Sequence, residues 1–306
     1  MKCLVHLTEA FCVGLVLGLA APDSSAEVVY EVTSPYHHIL VLDEQGHRIL
    51  SFDGTTETRM SLRNPLAGHF EYTEFFHMPW LWTTQITNVL MIGLGGASTQ
   101  RSYEHYYPQV TVETAEIDSA VVAVAKRFFQ FKESPKQRVQ VADGRVFLRR
   151  SRSVYDVIVM DAYVKGRYGS FIPYHLATKE FFELADGHLS TNGVLAYNVI
   201  GTLQDWQADI LGSVYKTMKA VFPQVYLFPA QSSMNVVLIG VKSAPKLDAA
   251  AIAQRTDALI QSGCVTLPAF RTRIRVFQAD PPANFNRCRV LTDDFAPVDG
   301  LLTRGR

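Results

Sequence analysis

Cysteine is scarce in this chain, with four in 306 residues and no CxxC pair. That excludes a disulfide-rich scaffold and a cysteine zinc site. Net charge is absent, since 29 Lys and Arg balance 29 Asp and Glu. The broad positive field of a nucleic-acid binder is therefore missing. No GxxxxGK[ST] occurs, so nothing is built to cradle a triphosphate. Glycine and proline stand at ordinary levels, 19 and 14, which removes fibrous and low-complexity classes. Disorder is excluded in turn, because 48% of the residues are hydrophobic. What remains is a globular chain long enough for one large domain, alone or with a small one.

Long apolar runs are also rare. The one present is Ala10 to Ala21, preceded by Lys2 and followed by Pro22-Asp23-Ser24-Ser25-Ala26. Its length is short for a membrane span and suits the core of a secretory signal, with cleavage expected after Ala26. This predicts a secreted or periplasmic protein. An uncleaved segment would anchor the chain to a membrane, and a buried N-terminal helix would leave it cytoplasmic. Glu9 and the single Lys2 are atypical of a signal. Cleavage would remove Cys3 and Cys12 and leave Cys264 and Cys288, either paired or as two separate thiols.

From Val28 to Met60 short strands alternate with turn signals. His37 to Leu42 and His47 to Phe52 read as a hairpin, followed by an Asp53-Gly54 turn. Phe70 to His77 reads as a helix ending near Pro79. From Asn88 onward strands and helices alternate. Strands are expected at Asn88–Gly93, Val110–Ile117, Arg138–Ala142, Tyr155–Met160 and Gly193–Val199, with a closing pair at Val225–Phe228 and Val236–Val241. Helices are expected between them, and a loop from Asp161 to about Tyr174. This pattern predicts an α/β fold, a parallel sheet with helices on both faces. The expected organisation is a targeting segment at 1–26, an N-terminal β-hairpin unit at 27–84 and a nucleotide-binding catalytic domain at 85–306.

Ligands in such sheets sit at the carboxyl ends of the strands. Four consecutive ends carry candidate groups. The first is Gly93-Leu94-Gly95-Gly96, a tight turn allowing close backbone approach, with Ser98 where a third glycine would complete GxGxxG. The second is Glu116-Ile117-Asp118, an acid about 20 residues past the glycines, placed to accept ribose hydroxyl protons. The third is Asp143-Gly144, where an Asp can accept from an adenine amine and the glycine leaves room for the ring. The fourth is Asp161. Each acid also has a plain reading as a helix N-cap, and Asp118 fits it well. Together the four ends suit a nucleoside without a phosphate chain, such as an adenosyl sulfonium.

At these residues the chain resembles the polyamine aminopropyltransferases, the spermidine synthase family, whose core is the Rossmann-like AdoMet-methyltransferase fold behind a small N-terminal antiparallel β unit. The likeness lies in Val89–Gly96, Glu116-Ile117-Asp118, Asp143-Gly144, Tyr155–Asp161, Phe52-Asp53-Gly54 and Tyr72-Thr73-Glu74. It implies a transferase of polyamine biosynthesis, with decarboxylated AdoMet or AdoMet as group donor and no metal. It implies Glu116 at the ribose, Asp143 at the adenine, Asp161 as proton acceptor for an attacking amine, and Tyr72 positioning that amine. The partner would be a small-molecule amine and no nucleic acid, with a homodimer as one option.

The departures fall on the amine side. Gly96 replaces an Asp of the family's glycine loop, and Val164 replaces the second Asp of its catalytic loop, with Lys165 and Arg167 beside it. Glu57 stands where the family has Gln, and Gln231-Ser232-Ser233-Met234 stands for Tyr-Pro-Ser-Gly. Ile172–Thr178 and Leu291–Pro297 resemble instead the divergent spermidine-synthase-like branch. On this reading Glu57 and His175 are candidate substrate-binding residues, His175 having a plain reading as a helix-start hydrogen-bonder. Asp293-Asp294 is either an N-cap pair or a cation-binding site. The chemistry expected is aminopropyl transfer to an amine with release of methylthioadenosine. The alternatives are an AdoMet-dependent methyltransferase, with Lys165 or Arg167 at the donor's carboxylate, and a non-catalytic nucleoside- or polyamine-binding protein.

Overall fold

The computed structural model describes residues 26–166, 169–204, 208–242 and 245–302. The expected targeting segment, apart from Ala26, and Arg167 lie outside them.

Strands β1 (Glu27–Thr33), β2 (His38–Glu44), β3 (His47–Phe52) and β4 (Thr55–Ser61) form an antiparallel meander. The expected hairpin is the middle of this four-stranded sheet. Both of its tight turns have positive φ at the two central residues, 48° and 77° at Gln45-Gly46 and 52° and 85° at Asp53-Gly54. Such turns match the right-handed twist of the strands they join, and they favour a glycine.

The larger unit runs β5 (Asn88–Ile92), α1 (Ser98–Tyr106), β6 (Thr111–Glu116), α2 (Ser119–Phe128), β7 (Gln137–Val141), α3 (Gly144–Arg150), β8 (Tyr155–Met160), β9 (Val164–Gly166), β10 (Gly169–Phe171), α4 (Lys179–His188), β11 (Leu189–Ile200), α5 (Ala208–Lys219), β12 (Gln224–Pro229) and β13 (Asn235–Val241). Its seven-stranded sheet has the order β12-β13-β11-β8-β5-β6-β7. The strands from β11 to β7 are parallel, and β13 is antiparallel to both its neighbours. Strand order reverses between β5 and β8, which opens a crevice at their carboxyl ends. The short β9–β10 hairpin occupies part of the stretch expected to be loop.

Central strands read as unbroken apolar runs because both faces are buried. In β5, Leu90 and Ile92 enter one core with α4 and α5, while Val89 and Met91 enter the other. That second core includes Phe75, Trp80 and Leu81. They belong to a run of 3-10 turns, Glu71–Leu81, that continues through Pro79 where a helix at 70–77 was expected to stop. Its residues from Phe75 to Leu81 are all buried, so packing sets its course rather than helical amphipathicity.

A third core joins the two sheets. Ile39, Val41, Leu50 and Met60 pack on Val121, Ala125 and Phe128 of α2 and on Leu94 and Ala97 of the glycine turn. This docking holds β4 over the carboxyl end of β5. Helices α6 (Ala249–Gln261) and α7 (Phe270–Arg273) and several 3-10 turns complete the described chain. Among the described residues, no helix is long and apolar enough to cross a membrane.

Candidate active site

The turn after β5 depends on its glycines. Gly93 has φ 100°, and a Cβ there would lie 2.2 Å from the backbone oxygen of Asp161. A side chain at 93 would thus push apart the ends of β5 and β8. Gly96 donates its amide to Thr58 Oγ1 (2.9 Å), and a Cβ on it would sit 2.5 Å from Thr58 Cγ2. Thr58 of β4 fills the space that an acid at 96 would need. Ala97 caps α1 in a left-handed conformation, φ 57°.

Across β5, β6 and β7 lie the nucleoside candidates. Glu116 is buried, and its oxygens accept from the amides of Leu94 and Asp118, each at 2.9 Å. Desolvation raises its pKa to about 7 despite these hydrogen bonds. Each carboxylate oxygen keeps a second lone pair for a hydroxyl donor. Asp118 is the N-cap of α2, accepting from Ala120 N, and it also accepts from Ser34 in the β1–β2 loop. Asp143 caps α3 through Val146 N (2.9 Å), and its other oxygen accepts from His175 Nε2 (2.8 Å). The His175 hydrogen bond is the largest influence holding the Asp143 carboxyl below its usual range. His175 lines the cavity as well, so the structure brings both candidates together as one pair. Gly144 has a packing reason beside the one expected. A Cβ there would stand 2.3 Å from Ile92 Cγ2, so the missing side chain admits β5 against α3.

Across β8, β11 and β13 lie the candidate acid-base groups. Asp161 follows β8; its Oδ1 accepts from Asn198 Nδ2 (2.8 Å) and its Oδ2 from Tyr72 OH (3.2 Å). Burial raises its pKa to about 6, against the two hydrogen bonds. Asn198 is held in turn by Asn235 Nδ2, which donates to its Oδ1 (3.1 Å). Tyr163 OH donates to Asn198 O (2.9 Å) and accepts from Ile200 N (2.8 Å). Glu57 of β4 faces the same cavity and makes no hydrogen bond among the described residues. Desolvation, and then the charges of Asp161 and Asp53, raise its pKa to about 7. Asn198, Asn235 and Tyr163 were not among the residues expected from sequence. The signal for Asn198 was a lone amide inside the apolar run Val194–Ile200.

Several expectations are corrected around this core. Lys165 was expected to add positive charge to the amine pocket. Its ammonium instead donates to the Asp53 carbonyl, and Lys165 does not line the cavity. Asp293 is neither an N-cap nor a cation site. It takes both guanidinium arms of Arg145 at 2.7 Å and the Thr178 hydroxyl at 2.7 Å, clipping the C-terminal segment onto α3 and α4. Arg273 is largely covered and pairs with Glu71 and Glu74 of the 3-10 run. Cys264 and Cys288 are two separate free thiols.

Together these strand ends line one cavity of about 710 Å³ that reaches from Asp143 and Glu116 to Asn198 and Met234. Gly93, Gly95, Gly144, Glu57, Tyr72, Asp161 and His175 all line it, so the structure gathers every expected site residue into one space.

Comparison with known proteins agrees with this architecture. A polyamine aminopropyltransferase of Vibrio vulnificus (strain CMCP6) is 29% identical over 302 residues, covering 94% of this chain and 96% of that protein. A solved probable spermidine synthase from Corynebacterium glutamicum ATCC 13032 superposes with a TM-score of 0.66 at 18% identity, over 88% of this chain and 97% of that one. Human methyltransferase-like protein 13 in complex with SAH superposes with a TM-score of 0.57 at 23% identity, over 64% and 94%. The two structural likenesses establish the Rossmann-like fold. The spermine/spermidine synthase domain model matches residues 69–243, more than half of the chain and the whole seven-stranded sheet, and the chain belongs to that family.

Proposed function

We propose that the chain transfers an aminopropyl group from decarboxylated AdoMet to an amine acceptor and releases methylthioadenosine. One observation carries this reading. Asp161, a carboxylate with no cationic partner among the described residues, faces the cavity beside the glycine turn and is oriented by Tyr72 and Asn198. A carboxylate with a pKa near 6 can hold the proton of an arriving ammonium and leave a neutral nucleophile. The sulfonium is already a good leaving group, so most of the work is orientation and exclusion of water. The donor is a substrate, and Glu116, the glycine turn and the Asp143–His175 pair are the groups that fit its nucleoside.

Membership of a family with methyltransferase neighbours makes AdoMet-dependent methyl transfer the second reading. Among the described residues, which do not include Arg167, no Lys or Arg lines the cavity to meet the carboxylate of intact AdoMet. This favours the decarboxylated donor. The test is incubation with each donor and a panel of amines. Methylthioadenosine from decarboxylated AdoMet supports the proposal, and adenosylhomocysteine from AdoMet supports the alternative. Asp161→Asn is expected to lower turnover by about 10²–10⁴-fold while methylthioadenosine binding, followed by calorimetry, persists. No turnover with either donor, together with ligand binding unaffected by Asp161→Asn, would indicate a binding protein.

A further inference from the structure

Asp161 is oriented by two neutral donors, and both lead back to one point outside the cavity. Tyr72, which donates to Oδ2, directly follows Glu71 in the 3-10 run. Asn198, which donates to Oδ1, is held by Asn235, the first residue of β13. Asn235 follows the loop 230–234 between β12 and β13, whose Ser233 and Met234 line the cavity. Glu71 grips that loop as well. Its Oε2 accepts from the Gln231 amide (2.9 Å) and from the amide and hydroxyl of Ser232 (3.0 Å each).

The other oxygen of Glu71 takes Arg273 of α7. One guanidinium nitrogen donates to Glu71 Oε1 at 2.7 Å, and Nε donates to Glu74. His69 contacts the second Glu74 oxygen at 3.0 Å. Glu71 and Glu74 are three residues apart, and side chains at that spacing eclipse in a 3-10 turn. Their side chains are only 9% and 13% exposed. Two carboxylates so close and so little hydrated repel each other, and losing their counter-ion would drive one of them out to water. Arg273 spans both. It lies outside residues 69–243, the span that matches the family domain, and belongs to the C-terminal extension.

Resting on the reading of Asp161 as proton acceptor, we propose that Arg273 and Glu71 form a clamp that positions Tyr72 and the 230–234 loop, and through them the Asp161 carboxylate. Neither residue lines the cavity, so both are positioning residues. The clamp acts on one end of the site. Glu116 and Asp143 are held by partners of their own, the amides of Leu94, Asp118 and Val146 and the His175 ring. A nucleoside bound there should not sense the clamp.

The experiment is a pH titration of Asp161 itself, by NMR of the full chain labelled with carbon-13 at its aspartate carboxyls. The Asp161 signal is the one lost in Asp161→Asn. Glu57, Tyr72 and Tyr163, the titratable groups that interact with its charge, stay in place. Glu71→Ala is expected to move the titration to higher pH, because the Tyr72 and Asn198 hydrogen bonds that favour the ionised form are loosened. A purely electrostatic link gives the opposite sign, since removing the negative charge of Glu71 would move Asp161 to lower pH. Arg273→Lys keeps the charge but has no planar fork to span two carboxylates, and it too should move the titration upward. Methylthioadenosine affinity, followed by calorimetry, should be unchanged in both variants. A downward or absent shift in Glu71→Ala overturns the proposal. So does an Arg273→Lys variant that titrates like the parent, or a loss of nucleoside affinity along with the shift. Turnover is read separately as methylthioadenosine release from decarboxylated AdoMet. There kcat should fall about 10- to 100-fold in Glu71→Ala, and an undiminished kcat overturns the clamp. Upward shifts in variants of a parent without turnover would overturn the aminopropyl-transfer reading and leave the clamp standing.

Discussion

Asp161 is held by two neutral donors, and that choice sets its working range. A cation in place of Asn198 or Tyr72 would press its pKa far down and make it a poor proton acceptor. Burial instead lifts it to about 6, and the Asn198 hydrogen bond restrains the rise. Activity that needs the ionised form should therefore fall as pH drops through about 6. In Asn198→Ala the restraining hydrogen bond is gone, the Asp161 pKa rises, and the acidic limb of the pH–kcat profile moves to higher pH. The misoriented carboxylate should also reduce kcat at neutral pH by about 10- to 100-fold, with methylthioadenosine affinity retained. An unchanged limb would show that Asn198 does not govern Asp161. The acids at strand ends were legible in the sequence because position after a parallel strand points them at a ligand. Asn198 was not, because inside a strand an amide has no sequence mark for the residue it faces across the crevice.

At the scale of elements, β–α alternation was legible through apolar runs and turn residues, and strand β8 falls where expected, Tyr155–Met160. Segments without that periodicity were misread. The 71–81 run looked like a short helix, yet it is buried nearly all round and follows 3-10 turns through Pro79. Gly144 answers to an element contact as well. Its position beside an acid suggests room for a ring, and in addition a Cβ would strike Ile92 of β5. Gly144→Ala is therefore expected to force α3 away from the sheet and to destabilise the fold by about 1–3 kcal/mol. Thermal unfolding measures this, and a drop of about 2–4 °C per kcal/mol is the expectation for a chain of this size. A variant with unchanged Tm would mean that α3 shifts freely.

For the whole molecule, the cavity acids link stability to pH. Glu57 and Glu116 are raised to about 7, and Asp161 to about 6, from ordinary carboxylate values near 4. In that window the folded chain keeps protons that the unfolded chain has released, so stability of the ligand-free protein falls as pH rises from about 4.5 to about 7. His77 opposes part of this fall up to about pH 6.5, since burial lowers its pKa to about 3 and only the unfolded chain takes up the proton. Asp53, Glu74 and Asp143 are lowered and also act in the opposite sense, losing their contribution only below the usual carboxylate range. Glu57→Gln removes one of the three raised carboxyl titrations and should flatten the fall in Tm between about pH 4.5 and pH 7. A slope equal to that of the parent would show that Glu57 ionises normally.

The sequence by itself determined the parallel sheet, the strand-end acids, the glycine turn and the likeness to aminopropyltransferases, because local periodicity and turn chemistry are written in neighbouring residues. Only the tertiary structure decided which charges meet. Lys165 is spent on the Asp53 carbonyl, Asp293 on Arg145 and Asp143 on His175, all partners distant in sequence. The docking of β4 over the β5 turn removed the room for an acid at Gly96 and set Glu57 in the cavity instead. Charge placement is a property of packing between distant segments, and Coulomb interaction depends on distances that residue spacing does not fix.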